Sequence, residues 1–376
     1  MELVIDVETT TYNNGNPFDE RNSLVCIALY WSDGRCAVVR PEPDNLSKVQ
    51  DAIEEATVLL GFNIKFDLHW LRRVGIKFNH RRIRDCQLVE FILSRQTKTY
   101  PSLDETAYER LGERKLDVVK EDYWDYGIQT DEIPWEVLSQ YAAKDVELTY
   151  KVHQSQMKEI AEKKPFMRTL IAISCQDTLT LQECEWNGQR YNREASLAEA
   201  EELSAKAQDI LAKLNLYHSV PSFNWNSTQH VSALLFGGTI NEVYYEPIGL
   251  YKSGARVGQV KLGKKVRTYH LPKMFDFPKG YETPGGDYSV GEEVLLKLRG
   301  GKKDFLQGIL ELKKIEKDIS TYLRGLPEKQ DEGHYDKKMI YGQFNQCVAR
   351  TGRLSSSKPN LQNLSDNACK HFISRY

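Results

Sequence analysis

LVIDVETT, residues 3–10, reads as a buried strand that runs into carboxylates. Leu3, Val4 and Ile5 supply the apolar run, and Asp6 and Glu8 are two apart, a spacing that puts both on one face of a strand. A second apolar run, VLLGFN at 58–63, reads as a strand entering a turn. The DLHWL that follows at 67–71 has helical apolar spacing. Strand, turn and helix in that order place Asp67 at the mouth where the sites of α/β sheets collect. A third stretch, from about Trp135 to Met157, reads as a helix on which Tyr141 and Asp145, four apart, share a face.

Four carboxylates and a phenol gathered this way suit two hard divalent cations acting on a phosphodiester. Oxygen-only ligand sets favour magnesium or manganese over zinc. Two such ions roughly 4 Å apart activate water on one side of phosphorus and stabilise the departing oxygen on the other. Each motif alone has a plainer reading: a solvated turn for Asp6 and Glu8, a helix cap for Asp67, a surface pair for Tyr141 and Asp145. Their joint occurrence carries the argument.

The remaining composition sets bounds. At 376 residues, 40% hydrophobic and 28% charged, the chain has room for two or three globular domains. No apolar run approaches the roughly 20 residues of a membrane span, and the chain opens on a strand rather than a signal peptide, so a cytoplasmic setting without membrane contact is expected. Cysteines at 26, 36, 86, 175, 184, 347 and 369 include no C-x-x-C pair, which fits reduced thiols. Trp31, Trp70 and Trp124 read as core. The charge is divided: residues 1–160 carry 20 Lys and Arg against 28 Asp and Glu, the rest 31 against 25. Residues 252–279 are the densest basic stretch, open to two readings, phosphate contact or a solvated hairpin.

Along the chain, a boundary is expected near 160, where AEKKP breaks the helical pattern. A helix over Phe166–Trp186 follows, with Leu170, Ile173, Leu179 and Leu181 inward. A turn at Asn187-Gly188 comes next, then a helix started by a capping box at Ser196 and Glu199. Residues 241–290 predict strands or loop, and helical spacing returns over 291–298 and 305–323 with Lys313, Lys314 and Lys317 on the polar side.

The three acidic motifs resemble those of the DEDD exonuclease superfamily in its tyrosine-containing branch. That resemblance implies Asp6, Glu8, Asp67 and Asp145 as metal ligands, Tyr141 as the residue that orients water, and 3′-5′ polarity. Asn63 is read as a polar partner at the substrate end. Further on, TGRLSSSKPNLQNL at 351–364 is very similar to a signature of the family A DNA polymerases. FNWNSTQHVSALLF and LELKKIEKDISTY resemble that family's thumb base and thumb helix. The resemblance implies a ribonuclease H-like α/β exonuclease domain (1–160) with a mixed sheet and flanking helices. A mainly helical thumb region follows: thumb base at 161–240, a basic insertion at 241–290, thumb helices at 291–345 and a palm edge at 346–376. It also implies Lys313 and Lys317 as duplex-backbone contacts, Arg353 as a minor-groove contact, and Asn360, Gln362 and Asn363 as polar contacts near the primer end; minor-groove acceptors are nearly alike for all base pairs. The signature is followed by CKHFISRY, short of the palm carboxylates. The expectation is therefore a phage-type proofreading exonuclease whose palm and fingers come from a separate polypeptide, or are lost by truncation. The rivals are a stand-alone exonuclease and a non-catalytic DNA-binding fragment.

Overall fold

Strand β1 (Glu2–Thr9) is the centre of a five-stranded sheet in a computed structural model that describes residues 1–78, 82–282, 288–331 and 336–374. On one side β1 pairs antiparallel with β2 (Leu24–Trp31), which pairs with β3 (Cys36–Val39); on the other it runs parallel to β4 (Val58–Gly61), and β4 to β5 (Arg82–Asp85). The sheet is mixed, as expected. Helices α1 (Pro43–Glu55) and α2 (Ile64–Arg73) connect these strands. After β5 come α3 (Cys86–Leu93), α4 (Leu103–Leu111), α5 (Val118–Asp122), the long α6 (Trp135–Glu162) and α7 (Arg168–Asn187).

The period-2 alternation of β1 builds two cores. Leu3, Ile5 and Val7 pack with Ile53, Leu68 and Trp70 from α1 and α2. Val4 packs on the other face with Leu138, Tyr141, Ala142 and Val146 from α6. Each apolar side chain so buried stabilises the fold by about 1.5–3 kcal/mol. Asp6 and Glu8, in step with Val4, therefore lie on the α6 face of the sheet.

The chain divides into two compact units, Met1–Arg193 with Leu326–Tyr376, and Glu194–Gly325. The first runs past the boundary expected at 160, because α7 packs along α2 and α3. Its later part adds α12 (Gly325–Asp331), β9 (Met339–Ile340), the β10–β11 hairpin (Gln343–Asn345, Ser355–Ser357) and α13 (Asp366–Cys369). Arg193 ties the two crossings together, pairing with Asp331 at 2.7 Å and donating to the Pro327 carbonyl at 3.0 Å. Strand β6 (Gln189–Arg190) pairs with β9. Arg375 and Tyr376, the end of the expected palm edge, lie outside the described residues.

The second unit holds α8 (Arg193–Leu214), α9 (Thr228–Phe236), α10 (Glu292–Leu295) and α11 (Lys303–Lys317) around Trp225, Leu235, Phe275, Phe305 and Ile309. Strands β7 (Gly238–Leu250) and β8 (Val260–Leu271) form a separate two-stranded ribbon. Part of the expected insertion, 283–287, lies outside the described residues. Helix α8 starts at Arg193, so Ser196 sits inside its first turns and donates to the Leu323 carbonyl at 2.9 Å instead of opening the helix. On α7, Leu181 is buried and Leu179 packs on the core, but Leu170 and Ile173 are 50% and 57% exposed. Its inward stripe is instead Ile171, Cys175, Thr178, Gln182 and Glu185. Among the described residues, no helix is long and apolar enough to cross a membrane.

Gly61, between β4 and α2, has room for nothing larger. A methyl there would meet the Ile64 side chain at 2.8 Å and the Ile5 carbonyl at 3.2 Å. Gly61→Ala is expected to destabilise the protein by about 1–3 kcal/mol through overpacking, measured by denaturant unfolding.

Candidate active site

Strand β1 outruns its parallel neighbour: β4 pairs with it only as far as Val4. The Val7 N–H beyond that point donates to Asp67 Oδ1 at 2.9 Å. Asp67 lies in the first turn of α2, whose entry is set by Asn63 in the left-handed conformation (φ 64°), with its N–H donating to Asp85 Oδ1 at 3.0 Å. The irregularity in the β1–β2 pairing between Glu8 and Thr9 is of the kind common beside active sites.

From the other layer, α6 brings Tyr141 and Asp145. One oxygen each of Asp6, Glu8 and Asp145 lie within 4.8 Å of one another. Asp67, held by the Val7 N–H, stands outside that cluster, although Asp6 is the largest charge acting on it. Asp145 is 2% exposed. Its Oδ2 pairs with the Lys115 ammonium, while its Oδ1 is buried with no hydrogen-bond partner among the described residues. A buried acceptor left unmade costs about 1–3 kcal/mol, and a cation beside it would remove that cost. The oxygen-only donor set fits a hard divalent ion.

Crowding shapes the electrostatics. Burial, then the Asp145 charge, pushes Asp6 up to about 7. Glu8 and Asp67 are held well above the carboxylate range by burial and by Asp6, and Asp145 is raised by burial against the pull of Lys115. Burial and then Asp145 keep Tyr141 a neutral phenol. Lys115 lies 4.8 Å from the centre of the Tyr141 ring. Burial works against its charge, but Asp145 and Tyr141 outweigh it and hold the ammonium protonated. Sequence reading missed Lys115, since nothing separates the lysine in GERKLD from a solvated loop cation.

A second missed feature is the buried network behind α2. Glu185 accepts from Lys65 Nζ at 2.5 Å and from the Phe344 N–H at 2.6 Å, and lies 2.7 Å from His69 Nε2. Lys65 also donates to the Phe344 carbonyl. Lys65, His69 and Glu185 border a cleft of about 620 Å³ whose walls also include Asn16, Phe18, Asn63, Phe66, Tyr100 and Gln343. Asn63, four residues before Asp67, thus faces open space. The signal for Glu185 was the E-W-N-G stretch at 185–188, of which only the Asn187-Gly188 turn was read.

The expected duplex contacts fall in both units. Arg353, Asn360, Gln362 and Asn363 are exposed in the first; Lys317 is exposed in the second. Lys313 turns inward and donates to the Val290 carbonyl at 3.0 Å, and burial lowers its pKa.

Residues 2–161, which hold every one of these acidic residues and Tyr141, match the family model of the 3′-5′ exonuclease, and residues 254–373 match that of DNA polymerase family A. One stretch of the chain is thus similar to the DNA polymerase family A and another to the 3′-5′ exonuclease family. Among its relatives, DNA polymerase I of Pseudomonas aeruginosa is 25% identical over 380 residues, covering 96% of this chain and 36% of the relative. The DNA polymerase of Escherichia phage T5 is 25% identical over 343 residues, covering 85% and 35%. The chain thus spans about a third of the length of these relatives. A solved structure of the POL domain of Pol1 from M. smegmatis, in complex with DNA primer-template and dNTP, superposes with a TM-score of 0.69 at 17% identity. That match covers 99% of this chain and 54% of the other, and it bears on the fold.

The raised carboxylates give the protein a pH signature. A group whose folded pKa exceeds its unfolded value contributes stability below the unfolded pKa and loses it as pH rises through the folded one. For Asp6 that window runs from 3.8 to about 7. The metal-free protein is therefore expected to melt at lower temperature at pH 7.5 than at pH 5. At pH 7.5 in EDTA, Asp6→Asn should raise the Tm by a few degrees and Lys115→Met should lower it, read by scanning calorimetry.

Proposed function

We propose that this chain is a 3′-5′ exonuclease that removes nucleotides from DNA ends, with Asp6, Glu8, Asp67 and Asp145 holding two magnesium or manganese ions. The observation that carries the reading is the gathering of Asp6, Glu8 and Asp145 around the Oδ1 of Asp145, partnerless among the described residues, inside the stretch that matches the exonuclease family. What hard divalent cations supply in such a site is charge, which lowers the pKa of water and offsets the charge that builds on the departing 3′ oxygen. Asp6 and Glu8 enter from the strand, Asp145 from the helix and Asp67 from the strand-helix turn, so the site is held by three separate elements.

Tyr141, kept neutral, orients the attacking water by hydrogen bonding rather than by taking its proton. Lys115 balances part of the acidic charge beside it. The cleft lined by Asn63, Phe66 and Tyr100 offers amide and aromatic surface for the unpaired nucleotides of a frayed 3′ end. Lys317, Arg353, Asn360, Gln362 and Asn363 serve as duplex contacts; Lys313, turned into the fold, is better placed to brace Val290. Its work is editing of DNA during replication, in the cytoplasm where that DNA is handled.

The test uses a 5′-labelled primer-template with a mismatched 3′ end and magnesium. A ladder of shortened primers is expected from the intact chain. Asp6→Ala and Asp145→Ala should each slow shortening by at least about a hundredfold, since a lost ligand costs more than the ten- to hundredfold of an outer partner. Undiminished hydrolysis in either variant would remove the assignment.

A further inference from the structure

We propose that the β7–β8 ribbon is a nucleic-acid arm that holds the phosphate backbone of duplex DNA. The inference rests on the reading of DNA as substrate. The ribbon is rooted by Ile240, 3% exposed, packed with Val220, Ala233, Tyr269 and Leu271. Beyond the root it leaves the core. Pairing in register sorts its side chains into two faces.

On one face the charges near the root are satisfied internally: Tyr269 donates to Glu242 at 3.0 Å, and the Arg267 guanidinium lies 5.0 Å from the centre of the Tyr244 ring. On the other, Val243 faces Val266 and Tyr245 faces Lys264. Val243, Tyr245, Leu262 and Val266 are 47%, 62%, 54% and 56% exposed, far from the values of a core.

The outer half also carries Lys252, Arg256, Lys261, Lys264 and Lys265, and among the described residues none of the five is in an ion pair. Glu246 is the one carboxylate between residues 243 and 267. The outer half also exposes Ile248, Leu250, Val257 and Val260, with Leu250 facing Val260; what favours a phosphate backbone as the occupant is the excess of five unneutralised cations over the single Glu246. Strands of about a dozen residues reach roughly 40 Å, on the order of one duplex turn of about 34 Å. A two-stranded ribbon is also of a width the major groove admits. The cations contact backbone, so the arm adds grip without sequence preference.

The test measures binding of a fluorescent blunt duplex to the full chain in EDTA, across a series of KCl concentrations. Two variants are compared: Lys252→Gln/Lys261→Gln/Lys264→Gln/Lys265→Gln, and a chain in which residues 241–268 are replaced by Asn-Gly, which keeps the root. Unfolding midpoints serve as the folding control. Each neutralised phosphate contributes about 0.9 to the slope of log K against log salt. The fourfold variant is therefore expected to flatten that slope by about three to four units and the ribbon-less chain by about four to five, and both to weaken binding at least about tenfold at 100 mM salt. Wild-type slopes in both would overturn the arm while leaving the DNA reading in place; no duplex binding by the intact chain at any salt would remove both. Tighter ribbon-dependent binding to vesicles of anionic lipid than to duplex would also overturn it.

Discussion

The peptide N–H of Val7 needs an acceptor where β4 has ended, and the carboxylate of Asp67 provides it. That one bond does several things. It closes the open end of the parallel ladder, it anchors the first turn of α2, and it draws an acidic group against the two residues that flank Val7. The last effect is unfavourable in isolation, because the charge of Asp6 acts on Asp67 even though Asp67 stands outside the close trio of Asp6, Glu8 and Asp145. Lys115 is the countercharge the fold provides on the Asp145 side. A buried excess of carboxylates held by a strand, a helix start and a long helix is costly to assemble, and the two hydrophobic cores fix the elements that carry it, which makes the cluster rigid.

Periodicity explains what was legible. Asp6 and Glu8 could be assigned to one face because strand period is 2, and Tyr141 and Asp145 because helical neighbours recur at four. The mixed sheet was implied by the family resemblance rather than by periodicity. Asp67 was assigned to the right turn, but its place outside the close trio depends on where β4 stops, a tertiary fact. The alternation also hid something: in α7 the apolar Leu170 and Ile173 face outward, while Gln182 and Glu185 are buried. Reading apolar as inward fails when a helix face is occupied by a polar network, as the Glu185 contacts with Lys65, His69 and Phe344 require. Lys313 and Lys115 failed for a related reason. A lysine's sequence context does not say whether its stem lies along the core with the ammonium on a carbonyl or carboxylate.

The same network joins motifs that lie far apart in the chain. Lys65 stands two residues before Asp67, and Phe344 belongs to the strand that pairs with Ser355–Ser357 of the TGRLSSS signature. Through Glu185, the first turn of α2 and the hairpin carrying that signature are parts of one hydrogen-bonded body. The turn that carries Asn63 and the signature residues are thereby registered to each other within the first unit.

The tie between Arg193 and the Pro327–Asp331 segment has a different consequence, one for how the chain folds. The first unit is discontinuous, and its late segment can dock only if the ends of the intervening Glu194–Gly325 stretch come together. Were that stretch disordered, closing a loop of about 130 residues would cost about 4 kcal/mol of chain entropy. Once folded, it removes much of that cost by holding its ends near each other. The inserted unit is therefore a stabiliser of its host even where it touches none of the host's core, and lesions in either should be felt as a loss of cooperativity in both.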